Sequence, residues 1–194
     1  MLGQLPQSLD VCGKDYAIRA DYRNILRIFS AFNDPDLSDS EKVYVCLKRL
    51  YADFETMPRQ AYSEAYKAAT AFMECNFHSE KNDPKTVNWE KDEQLIFPAI
   101  NKVAGTEVRA VSFLHWWTFL GYFQNIDHED LWGFVLTLRQ KRARGKKLEK
   151  HEREFWRANR EICEVEETAA SKARSPEDML HDMFNSLAAE GGDE

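Results

Sequence analysis

Residues 112–125, Ser-Phe-Leu-His-Trp-Trp-Thr-Phe-Leu-Gly-Tyr-Phe-Gln-Asn, constrain this chain more than any other stretch. They set two adjacent tryptophans in a segment that is apolar nearly all round, and a helix of that character must be covered on most sides. At ~150–250 Å² per large aromatic and ~25 cal/mol per Å², burial of each tryptophan contributes up to ~4–6 kcal/mol, against a net domain stability of ~5–15 kcal/mol. Phe113, Trp116, Trp117, Phe119 and Leu120 are therefore expected in the structural core, with both tryptophans mostly buried.

A chain of 194 residues suits one domain with an appendage, and 43 % hydrophobic residues with 12 % aromatics suffice for a real core. The 30 % of charged residues and a mean hydropathy of −0.59 mark a soluble chain. No run approaches the ~18–20 apolar residues that cross a bilayer, and the start, Met-Leu-Gly-Gln-Leu-Pro-Gln-Ser, lacks the basic and apolar regions of a secretory signal, so a cytoplasmic location is expected. Cys12, Cys46, Cys75 and Cys163 are scattered without a C-x-x-C pair, which argues against a disulfide framework or a zinc finger. Cys75 and His78 alone have ligand-like spacing, and without a second pair they read as a helix-end cysteine and a loop histidine.

Coarse periodicity predicts an all-α fold of about six to seven helices with a small N-terminal β-hairpin and a C-terminal amphipathic helix. The hairpin is read at Ser8–Val11 and Asp15–Arg19 around Cys12-Gly13-Lys14. Asp21 is the expected N-cap of a helix to Phe32, and Ser38 with Glu41 forms a capping box for the next. Further helices are expected over 59–76, over 92–104 with Pro98 inside and Gly105 as its stop, through the tryptophan segment, after Asp127 to Asp130, and from Glu149 to about Glu166. Residues 1–167 are read as the helical domain and 168–194 as a linker with a docking helix. In the latter, Ser175 caps, Pro176 takes the first helical position, and Met179, Leu180, Met183, Phe184 and Leu187 line one face. That face can dock on its own body or on another chain, and docking against a neighbouring copy or a client is expected.

No catalytic residue, metal ligand or cofactor is assigned. His115 is read as a core-edge imidazole with one backbone or carboxylate partner, since no nucleophile accompanies it. His128 and His151 have no second histidine at zinc-protease spacing, and Asp178 with His181 lacks the further carboxylates of a di-metal bundle. The net charge is −7, yet Arg139 to Arg160 holds ten Lys/Arg against three Glu, which makes that stretch +7 and leaves −14 elsewhere. A solvated helical face is the plain reading. Contact with an acidic protein through Arg142, Arg144 and Lys147 is the functional one, and nucleic acid is the less favoured partner at a pI of about 5.4.

The ordered landmarks Gly13-Lys14-Asp15-Tyr16-Ala17-Ile18, Asp21-Tyr22-Arg23-Asn24, Leu37-Ser38-Asp39-Ser40-Glu41-Lys42, Trp89-Glu90-Lys91-Asp92 and Leu114-His115-Trp116-Trp117-Thr118-Phe119 resemble the bacteriophage Gp-fifteen protein family. The resemblance runs from about Val11 to Cys163, and the stretch after Lys172 looks like an addition to it. It implies a protein of tailed phages and prophages of Gram-positive bacteria, encoded between the major tail protein and the tape-measure protein. The implied role is a tail assembly chaperone in the host cytoplasm that binds the tape-measure and/or tail tube protein, with a possible homo-oligomer. A nucleic-acid-binding phage regulator acting through 139–160, a hydrolase using His115 or Asp178 and His181, and a structural virion component are the alternatives.

Overall fold

The computed structural model describes residues 3–75 and 86–165. The readings placed on His78 and on 168–194, including Asp178, His181 and the Met179–Leu187 face, lie outside these residues. The described chain is mostly helical, with eight α-helices and one two-stranded antiparallel hairpin. Residues 3–75 with His115–Trp117 make one compact unit, and 86–114 with 118–165 make a second.

In the first unit, β1 (Ser8–Val11) pairs with β2 (Lys14–Ala17), and Val11 stands opposite Lys14. Cys12 and Gly13 close the two-residue turn at φ 54° and 79°, the doubly left-handed geometry that matches the twist of hairpin strands. Helix α1 (Tyr22–Asn33) starts where Asp21 accepts the Arg23 N–H. Helix α2 (Asp39–Leu50) starts at the capping box, with the Ser38 N–H donating to Glu41 at 2.8 Å. Helix α3 (Tyr62–Met73) follows a 3₁₀ turn at Arg59–Ala61, so the helix expected from 59 winds tightly for its first turn. Arg19 closes the end of α2, donating to the carbonyls of Lys48, Arg49, Tyr51 and Ala52. The first three are carbonyls that a helix end leaves without an intrahelical partner, and Ala52 follows the cap.

His115, Trp116 and Trp117 act as a clasp on this unit. Asp21 and His115 form an isolated antiparallel bridge, and the Trp116 N–H donates to the Ala20 carbonyl at 2.8 Å. The His115 Nδ1 accepts the Trp117 N–H at 3.1 Å, an N-cap made by a histidine, while Nε2 lies 3.0 Å from the Pro6 carbonyl. The tautomer with hydrogen on Nε2 satisfies both bonds. The Trp116 indole donates to the Met73 carbonyl at 2.8 Å and the Trp117 indole to the Phe72 carbonyl at 2.9 Å, which ties off the C-terminal end of α3. Trp116 is 1 % exposed, and Trp117 is half-buried with its ring stacked on Phe72 at 5.8 Å.

Helix α5 (Trp116–Gln124) therefore begins at Trp116, and the boundary between the two units falls after Trp117. This corrects the assignment of Phe113 to the core. The extended His115 bridge fixes the helix start, residues 112–114 precede it, and Phe113 is 53 % exposed. Phe119 is fully buried and Leu120 half-buried.

In the second unit, α4 (Glu93–Ala104) carries Pro98 internally and stops at Gly105, whose φ of 68° is left-handed. Phe119 packs between Trp89 and Phe97, with ring centroids at 6.0 and 5.9 Å. Helix α6 (Leu131–Ala143) follows Asp130, and α7 (Lys150–Ala158) is separated from α8 (Arg160–Cys163) at Asn159, so the single helix expected from Glu149 is two. Gly133 is required where it stands. A Cβ there would run into the Asp127 carbonyl oxygen, because the preceding loop crosses the first turn of α6.

Candidate partner-binding groove

Helix α6 presents Trp132, Val135, Leu138 and Arg139 as its buried residues, and Arg139 is the one charge among them. A buried guanidinium needs every donor satisfied. Nε donates to the Cys163 carbonyl, one terminal nitrogen to Thr86 and Asp92, the other to Asp92 and Ile162. All five N–H groups are used, and the Asp92 pair is bidentate at 2.6 and 2.8 Å with both side chains at most 2 % exposed. Arg139 thus leaves the basic face proposed from sequence and becomes the polar hub joining α6, α8 and the chain entering α4. The sequence did carry a signal, because 132, 135 and 139 recur at helical spacing on an otherwise apolar stripe.

Helix α6 ends at Gly145 in a Schellman motif: the Lys146 N–H reaches the Lys141 carbonyl at 2.8 Å and the Gly145 N–H reaches Arg142 at 3.0 Å. Helix α7 opens with a capping box of Glu149 and Glu152. Glu152 also accepts from Lys141 at 2.5 Å, and that bond, followed by the Glu149 N–H, holds its carboxyl below the usual range. These contacts set α7 against α6, where Leu138, Trp156 and Cys163 form a small core supported by Phe134, Leu148, Phe155 and Ile162.

Over this core lies a groove of about 640 Å³ lined by Arg142, Leu148, Arg153, Trp156, Arg157 and Arg160. The Arg142 guanidinium sits over the Trp156 ring at 4.5 Å, within cation–π range. Trp156 is 7 % exposed and its indole N–H has no acceptor among the described residues. Arg153 donates to the Leu148 carbonyl at 2.6 Å, and Arg160 pairs with Glu164 one turn along. The result is a groove in which Trp156 and Leu148 are apolar and four arginines are cationic, suited to an anionic ligand that also carries apolar side chains.

Of the residues assigned from sequence, Arg142 lines this groove. Arg144, at the C-cap of α6, and Lys147, in the connection, are exposed and do not line it. Arg153, Trp156, Arg157 and Arg160 were not singled out for contact, since a charged helix with a narrow apolar stripe does not announce which charges its neighbours gather. Among the described residues, no group of three or more His, Cys, Asp and Glu is placed to hold a metal ion, and no helix is long and apolar enough to cross a membrane. All four cysteines are free.

Fold and groove together describe a mostly helical protein with a basic, tryptophan-walled recess. The chain belongs to the family described as Bacteriophage Gp15 protein, whose model matches residues 1–165, and is thereby a phage protein of the structural or morphogenesis kind. No curated protein and no solved structure matches it.

Proposed function

We propose that the chain is a tail assembly chaperone, acting by binding and without catalysis in the cytoplasm of a Gram-positive host. Its clients are the tape-measure protein and/or the major tail protein of the same phage. Family membership supports the setting, and one observation carries the reading: four arginines line one groove with Trp156 and Leu148 between α6 and α8. A chaperone of an elongated helical client must cover apolar surface and still be displaced, and an interface of moderate size with a charged rim meets both demands.

The test is co-expression of the tagged chain with its phage's tape-measure and tail tube proteins. Capture of either client, lost on Arg142→Glu with Arg157→Glu, together with absence of the chain from purified particles, is the expected result. Presence of the chain in finished particles would make it a structural virion component. Submicromolar binding to duplex DNA at ~0.15 M salt, abolished by reversing Arg142, Arg144 and Lys147, would make it a nucleic-acid-binding regulator.

A further inference from the structure

We propose that Arg142 gates Trp156, so that the groove takes a client segment only where a carboxylate stands beside an apolar side chain. The inference deepens the chaperone reading and rests on the groove being the client's site. Trp156 is 7 % exposed, and the Arg142 guanidinium sits 4.5 Å from its ring centroid. A carbon packed on that ring face needs a separation of about 3.5–4.0 Å, so no client side chain reaches it while the guanidinium stays there. Trp156 otherwise packs in the small core with Leu138 and Cys163. Its ring is closed to a ligand until Arg142 moves.

The guanidinium is free to swing, while its root is fixed. Arg142 lies in the last turn of α6, whose end is pinned by the Gly145 turn and by the Lys141 bond to Glu152. The residue is exposed, and among the described residues no carboxylate or carbonyl accepts from its side chain. Two of the other groove arginines are held differently: Arg153 donates to the Leu148 carbonyl, and Arg160 pairs with Glu164. A cation–π contact at an exposed site is weak, whereas a carboxylate offers a guanidinium two parallel charge-assisted bonds. A carboxylate entering the groove therefore draws Arg142 off the ring, and the apolar side chain beside it takes the vacated face. Either group alone gains little. An apolar side chain has to push the cation aside with nothing to receive it, and an anion alone leaves the tryptophan unused.

Calorimetric titration of three synthetic peptides into the full chain tests the gate. One peptide carries a glutamate beside a phenylalanine, the second a glutamine beside the phenylalanine, and the third the glutamate beside an alanine. The first should saturate the chain and bind at least about tenfold more tightly than either of the others. Arg142→Ala should weaken the first peptide yet tighten the glutamine peptide at least about threefold, since the ring face then stands open. Arg142→Gln should move the glutamine peptide the same way, and matched melting temperatures show that both variants are folded. Arg157→Ala removes a groove charge without touching the ring contact, so it should weaken the glutamate peptides and leave the glutamine peptide unchanged. A glutamine peptide that binds the Arg142 variants no more tightly than the unaltered chain would overturn the proposal. So would failure of the first peptide to saturate the unaltered chain, or purely additive effects of its two groups. Capture of the tail proteins is read separately: capture without the gain in the Arg142 variants removes the gate and keeps the client site, and the gain without capture removes the chaperone reading alone.

Discussion

Arg139 is buried among Trp132, Val135 and Leu138, yet none of its five donors lacks an acceptor. Removing it strands the Asp92 carboxylate in the interior, so Arg139→Ala should cost about 3–5 kcal/mol in denaturant unfolding of the second unit. Arg139→Lys should recover only part of this, since an ammonium cannot reproduce the bidentate fork or reach four separate carbonyl and carboxylate groups. A loss below about 1 kcal/mol for the alanine variant, the size of an exposed pair, would show that the hub is not buried as described. Two glycines give a matched contrast. Gly133→Ala drives a methyl into the Asp127 carbonyl and should destabilise by at least about 1–3 kcal/mol, whereas Gly121→Ala, with open space at its Cβ inside α5, should stabilise by about 0.5–1 kcal/mol. At this scale the caps were legible: Asp21, Ser38 with Glu41, and Gly105 each act through a local bond or a left-handed φ that residue type discloses. Arg19 was not, because the α2 carbonyls it closes lie about thirty positions away in sequence.

Among the elements, the tryptophan helix behaves in part as its composition demands. Trp116 is fully covered and tied to α3, so Trp116→Ala should cost about 3–5 kcal/mol, while the half-buried Trp117 should cost less. Equal effects, or an unchanged melting curve for Trp116→Ala, would contradict this ordering. The sequence could not separate the two, nor see that Phe113 lies outside the helix. That start is fixed by His115 bridging Asp21, which is ninety-odd residues away in sequence. Likewise the break at Asn159 has no glycine or proline to mark it. The start of α7 carries a pH dependence of definite sign. Lys141 and the Glu149 N–H hold the Glu152 carboxyl lower than in the unfolded chain, so the stability it contributes is present above the ordinary carboxylate value of ~4.3 and is lost as pH falls through the lowered one. Glu152→Gln should therefore flatten the acid limb of a stability–pH curve, and an identical limb in both proteins would sever that link.

For the whole molecule, a chain of net charge −7 concentrates its positive charge in one stretch. The structure then divides that stretch: Arg139 turns inward, Lys141 holds the α7 cap, and Arg142, Arg153, Arg157 and Arg160 line the groove with Trp156. Sequence reading reached the fold class, the hairpin and the basic segment, because hydrophobic period and charge runs are local properties. It did not reach the groove, because convergence of α6, α7 and α8 depends on how three helices pack. The proposed chaperone role has this groove recognise a client during phage tail assembly. It is tested most directly by titrating the tape-measure protein, and separately the tail tube protein, into the full chain and into its Arg142→Glu, Arg157→Glu variant, with matched melting temperatures as the control. Saturable binding of at least one client, weakened at least about tenfold by the variant and by raised salt, is expected. Binding of equal strength in both proteins, or no binding to either client, would contradict it.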